Sequence, residues 1–334
     1  MGIFKGEPSR QLTESDAGVN PLSWWTTFSY TYGIDSRQKK TFVGPTGPGQ
    51  RCVFCGPKRD GLTFKKVAHV IPACLGNRTL FTNEECDDCN LAFGSSMETS
   101  LANYFLCDRI LCRKRSRSGS VKHRTPRELS RLESSVNTDD ILLQQPIDGF
   151  DPALEWKSID PEHTEVKLTL PPFRPIHIAQ ALARMAYLVS SSGVRSRMHH
   201  LVDWIAGRQG FFPIQLATFL LPGTGFRPTG LFVACGDVET ADHPIAVILL
   251  FGFQIVTMLL PLPTGKQPHV DAWPTIPGID TRPAFKMVID IRGDERIDTA
   301  TRTFTLTHQP MVRLDGEESR KAVEDLRKRL RGEE

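Results

Sequence analysis

The sequence predicts an α+β chain, with a small cysteine-stapled unit near the N-terminus followed by a separate α+β domain. Three observations predict it. Two Cys-x-x-Cys pairs, Cys52/Cys55 and Cys86/Cys89, lie on either side of residues 56–85. Apolar residues recur at helical spacing over 178–189, through Ile178, Leu182, Met185, Ala186 and Val189, and again over 199–206, where Gly207 supplies a C-cap. Short apolar or alternating runs then recur at 165–170, 215–221, 230–234, 244–260, 285–291 and 303–307, as strands do.

Length and composition bound the function. The chain has 334 residues, enough for about two domains. With 40% hydrophobic and 24% charged residues it is neither collagen-like, wholly disordered nor a polytopic membrane protein. The net charge of +3 excludes a polycation, so any nucleic-acid surface must come from local clustering. No basic stretch followed by an apolar run opens the chain. The longest apolar run, 245–260, is shorter than the ~20 residues that span a bilayer. Gly252, Gln254 and Thr257 interrupt it, and two buried strands joined near Gly252 are expected there. A cytoplasmic protein without membrane contact is the expectation.

Residues 1–50 lack helical periodicity and read as an arm packed on the domain surface, anchored by Trp24, Trp25, Tyr30 and Tyr32. The Gly/Pro-rich stretch 44–49 leads into the first cysteine pair. Each Cys-x-x-Cys turn points two thiolates at one place, and two such turns complete the tetrahedral sulfur site that structural Zn²⁺ prefers. Without a secretory signal, zinc on Cys52, Cys55, Cys86 and Cys89 is favoured over disulfides. Cys74, Cys107, Cys112 and Cys235 read as small buried hydrophobes. Between the pairs, residues 67–71 are apolar except at His69, and Pro72 stops the run, which makes His69 the single polar residue of a short strand. A helix is expected to begin near Cys89-Asn90. Asn90 and Glu98, eight apart, then stand on one side of it.

The order Cys-x-x-Cys, His69-Val70-Ile71-Pro72, Leu75-Gly76-Asn77, Cys86-x-x-Cys89-Asn90, Phe93-Gly94 and Glu98 resembles the zinc-bearing branch of the HNH endonuclease family, across roughly residues 50–105. The resemblance implies a ββα-metal unit over 51–110, with zinc as a scaffold behind a catalytic cation. It implies His69 as general base, Asn83 or Asn77 as the residue orienting it, and Asn90 and Glu98 as ligands of Mg²⁺ or Mn²⁺. DNA is the implied partner. Lys65 and Lys66 on one side, and Arg113, Lys114 and Arg115 on the other, make a track for its phosphates.

One position departs from the family. Asp, Glu or His often precedes the base histidine as a metal ligand, and here Ala68 stands there. Either Glu98, Glu85 or Asp87 replaces it, or the metal is held weakly. Otherwise the unit is a zinc-stabilised binding module that has lost cutting.

The remaining segments read as a basic, polar linker over 111–164 with short helical pieces, an α+β domain over 165–315 that binds a partner or regulates, and a charged tail helix over 316–334. A protein partner or self-association through the C-terminal part is expected. The resemblance also implies service in bacterial defence against phage, with cutting held off until triggered.

Overall fold

The computed structural model describes residues 22–31, 40–56, 61–116, 119–125, 130–134, 141–144, 151–190, 192–210, 212–220, 230–238, 245–266, 285–291, 293–307 and 321. The fold is α+β. The chain forms two compact units, each discontinuous in sequence: Met1–Leu101 with Arg174–Arg296, and Ala102–Phe173 with Ile297–Glu334. The linear segmentation expected above cuts the chain elsewhere. The helix and most strands assigned to 165–315 belong with the cysteine-bearing segment.

The first unit is built on a six-stranded sheet, in the order Leu22–Thr31, Gly230–Val238, Ile245–Phe251, Gln254–Leu259, Ile214–Leu220, Phe285–Ile291, with antiparallel neighbours throughout. Ile245–Phe251 and Gln254–Leu259 are buried at every position, which explains why the sequence there is apolar except at Gln254 and Thr257 rather than alternating. They are joined at Gly252, whose φ of +63° lets the chain reverse as expected. The first strand, β1 (Leu22–Thr31), comes from the segment read as a surface arm, and it extends the sheet along Gly230–Val238. Tyr32 lies outside the described residues.

The helix Pro175–Val189 packs on this sheet. Pro175 sits in its first turn, where a missing N–H costs nothing. It is buried along nearly its whole length, including Arg184, the single charged residue within it. The cysteine-bearing segment adds a small sheet in the order β2 (Thr41–Val43), β4 (Leu80–Thr82), β3 (Ala68–His69). Helix α1 (Asp87–Phe93) follows and runs into a π-helical turn, Gly94–Glu98.

The second unit is mostly strands. Leu154–Asp160, His163–Thr169 and Thr301–Thr307 form one three-stranded sheet, and Lys122–Arg124, Arg131–Ser134 and Ile141–Gln144 form another. The described residues of the region read as a polar linker with helical pieces are therefore mostly in strands, with Val121, Leu132, Leu142 and Leu154 buried. Strands of three or four residues are too short for alternation to show in sequence. The proposed tail helix lies outside the described residues apart from Lys321, which is helical. Among the described residues no helix is long and apolar enough to cross a membrane.

Candidate active site

The first cysteine pair lies on the turn through Cys52-Val53-Phe54-Cys55. The second opens α1, with Cys86 at the N-cap and Cys89 in the first turn. A 2.9 Å hydrogen bond from Val53 N–H to the Glu84 carbonyl ties one turn to the other. Their ligand atoms all lie within 4.8 Å of one another. The Sγ atoms stand 3.7 Å apart for Cys52 and Cys89, 3.4 Å for Cys55 and Cys86, and 3.4 Å for Cys55 and Cys89. Four sulfurs each ~2.3 Å from a tetrahedral Zn²⁺ stand ~3.8 Å apart, whereas disulfide sulfurs are ~2.0 Å apart.

The electrostatics fit the same ion. The hydrogen bond between Cys52 and Cys89 lowers the Cys52 thiol to about 5, while burial raises Cys86 to about 11 and the Cys52 sulfur drives Cys89 upward. Sulfurs this crowded cannot all ionise unless a cation sits among them. These four cysteines could hold a structural zinc.

His69 lies on β3, half-buried, opposite Phe81 of β4, with the two rings 4.9 Å apart. Alternation sends Ala68 to the opposite face, where it is fully buried. A carboxylate at position 68 would therefore be buried.

The two asparagines expected to orient His69 do other work. Asn77 is fully buried and makes four bonds to backbone. Its Nδ2 donates to the carbonyls of Ile71 (2.7 Å) and Leu80 (2.6 Å), and its Oδ1 accepts from the N–H groups of Thr79 (3.1 Å) and Leu80 (2.9 Å). That exhausts the amide, so Asn77 clamps the loop joining β3 to β4 and has nothing left for the imidazole. Asn83 donates at 3.4 Å to the Gly44 carbonyl, bridging toward β2.

Asn90 and Glu98 are both half-buried, and with Gly94 they form a stripe beside the buried Phe93, Met97 and Leu101. In a pure α-helix, residues eight apart end about 80° out of phase. The π turn Gly94–Glu98 widens the spiral toward four residues per turn and aligns the stripe more closely. Among the described residues, no His, Cys, Asp or Glu group other than the four cysteines gathers three ligand atoms as they do.

Residues 52–106 match the model of the HNH endonuclease family. No curated protein and no solved structure matches the chain.

Glu85, a candidate substitute ligand of this HNH unit, is spoken for. It forms a buried ion pair with Arg184, whose Nη2 and Nε lie 2.7 Å and 2.8 Å from Oε2, with side-chain exposures of 2% for Arg184 and 0% for Glu85. Burial raises the Glu85 carboxyl to about 7 against the pull of Arg184. Arg184 also donates to the carbonyls of His69 (2.8 Å) and Val70 (3.3 Å), so a helix residue outside the motif holds the backbone of the base strand. Sequence reasoning missed Arg184. The available signal was a lone arginine in an otherwise apolar helix, since such a residue is almost never buried unpaired.

Asp87, the third substitute, accepts from Thr63 Oγ1 (2.6 Å) and from the N–H groups of Lys65 (3.1 Å) and Lys66 (2.7 Å), and these bonds hold its carboxyl below the usual range. It thereby pins the backbone of the two exposed lysines expected to meet phosphate. The other basic group differs from expectation. Lys114 is buried, and desolvation lowers its ammonium, so it is poorly placed as a solvent-facing phosphate contact. Arg113 is half-buried and takes a left-handed φ of +52°, and Arg115 begins the strand Arg115–Ser116.

Proposed function

We propose that this protein is a metal-dependent endonuclease that hydrolyses DNA phosphodiester bonds, with His69 as general base. The observation that carries the reading is His69 itself, half-buried on β3 and fixed through its carbonyl by Arg184, in the unit held by four convergent cysteines. Asn90 and Glu98 offer hard oxygen donors on one helical stripe and would hold Mg²⁺ or Mn²⁺. Such a cation, when bound, stabilises charge on the transferring phosphoryl group and its leaving oxygen. His69 takes a proton from the attacking water, and its ring packing on Phe81 limits the rotation that would mis-aim it. Lys65 and Lys66 attract the phosphate backbone. Activation or assembly through a protein partner or a second copy, and defence against phage in the bacterial cytoplasm, are the setting this reading suits.

The test is plasmid cleavage by wild type and His69→Ala, with and without Mg²⁺ or Mn²⁺. Cleavage that needs both the cation and His69 is expected, with the melting temperature of His69→Ala close to wild type. A second reading, a binding module without catalysis, draws on Ala68, which leaves no metal donor beside the base. It predicts gel retardation of the plasmid and no cation-dependent nicking.

A further inference from the structure

The small sheet puts three rings in one row. Phe42 of β2 stands opposite Phe81 of β4 in parallel register, and Phe81 stands opposite His69 of β3 in antiparallel register. Directly opposed residues share a face, so Phe42, Phe81 and His69 line up across the three strands. The ring centroids are 5.4 Å apart for Phe42 and Phe81 and 4.9 Å apart for Phe81 and His69. The Phe42 ring therefore lies at most ~10 Å from the imidazole.

Exposure along the row is uneven. Phe81 is 5% exposed, whereas Phe42 is 46% exposed although it packs on Phe81. The exposed Lys40 holds its ammonium 5.8 Å from the Phe81 centroid, beside the same row. A single exposed phenylalanine is ordinary on a protein surface. This one is set apart by its register with the candidate base and by the cation next to it.

We propose that Phe42 is a stacking platform for a nucleobase of the strand being cut, with Lys40 binding the adjoining phosphate. The proposal rests on the endonuclease reading and narrows its substrate. Stacking on an aromatic side chain requires a free π-face, which a base inside an intact duplex does not offer. A strand whose phosphate sits at His69 and whose neighbouring base is unpaired can place that base on Phe42. The preferred substrate is therefore single-stranded DNA, or DNA opened at a nick, gap or frayed end.

The experiment uses the full chain in buffer without added Mg²⁺ or Mn²⁺, so that binding is read apart from cutting. The probe is a short oligodeoxynucleotide carrying 2-aminopurine, single-stranded or annealed to its complement. Wild type is expected to bind the single strand more tightly than the duplex and to change the 2-aminopurine emission. Phe42→Leu still covers Phe81 but has no ring; it should keep the wild-type melting temperature and weaken single-strand binding by about 5- to 150-fold, the equivalent of one base stack. Phe42→Trp should restore binding.

Single-strand affinity of Phe42→Leu within twofold of wild type overturns the proposal and leaves Phe42 as a cover for Phe81 only. Failure of wild type to bind either probe, or equal binding of both, also overturns it. Cleavage of the single-stranded oligodeoxynucleotide in the presence of Mg²⁺ separates the two claims. His69-dependent cutting with no Phe42 effect on binding keeps the nuclease and removes the platform. Phe42-dependent binding without cutting keeps the platform and removes catalysis.

Discussion

The four-cysteine cluster and the Glu85–Arg184 pair both serve the stretch of chain that carries His69, and they are built in opposite ways. The cluster joins turns 37 positions apart or fewer, uses sulfurs from within the motif, and could hold a cation among them. The ion pair joins residues 99 positions apart and brings its cation as a side chain, from a helix packed against the sheet. The first makes a short segment stable that has little apolar area to bury. The second ties that segment to the rest of its compact unit, because Arg184 meets both Glu85 and the carbonyls of His69 and Val70. The HNH unit is thus stapled from inside and gripped from outside.

The sharpest way to break this comparison is to remove the metal. Cys86→Ser, or a zinc chelator, should abolish the cooperative melting of the HNH segment, since structural zinc contributes on the order of 10 kcal/mol at neutral pH. Metal analysis of the wild-type protein should find about one zinc per chain, and acidification should release it as the thiolates protonate. If the segment melts unchanged without zinc, the inside staple is dispensable.

Next in size is the outside grip. Arg184→Ala leaves a buried carboxylate uncompensated and should cost about 3–5 kcal/mol in chemical denaturation. The double change Glu85→Gln with Arg184→Met should recover most of that loss. Plasmid cleavage should stay low in the double variant, because the His69 carbonyl has lost its donor. Recovery of both stability and cleavage would reduce the pair to a filler of the core.

Asn77→Ala tests a clamp that is local like the cysteines but needs no ion. It removes a donor from the carbonyls of Ile71 and Leu80 and the acceptor of the Thr79 and Leu80 N–H groups, and about 2–4 kcal/mol of destabilisation is expected by urea titration. A loss under 1 kcal/mol would mean that water replaces the amide.

The smallest effect is expected at Gly44. Its φ is +87°, and a Cβ added there would clash with Glu84 Cγ, displacing the carboxylate that pairs with Arg195 at 2.8 Å. Gly44→Ala should lower stability by about 1–3 kcal/mol, and differential scanning calorimetry would read it.

Legibility followed sequence distance. The cysteine quartet, the short His69 strand, the helix at Pro175–Val189, and the two strands broken at Gly252 could all be read directly, because each is written in spacing or periodicity within a few dozen residues. The strand β1 could not be, since its partner Gly230–Val238 lies some two hundred residues on and pairing leaves no local mark. The strands between Lys122 and Gln144 were too short to alternate visibly. Asn77 was singled out for the wrong partner: its position in the motif is readable, but whether its amide meets a ring or a backbone is decided by a loop that closes on it from both sides.

By itself, then, the sequence determined the candidate metal site and the candidate base of this protein, because thiols paired at fixed spacing and a histidine on an apolar strand are local facts. Only the tertiary structure decided what holds that base in place and what lies beside it. Burial made Glu85 require a cation, packing delivered Arg184 to supply it, and strand register set Phe42 in line with His69. Charge compensation and cross-strand register join residues through space, and no pattern along the chain encodes either one alone.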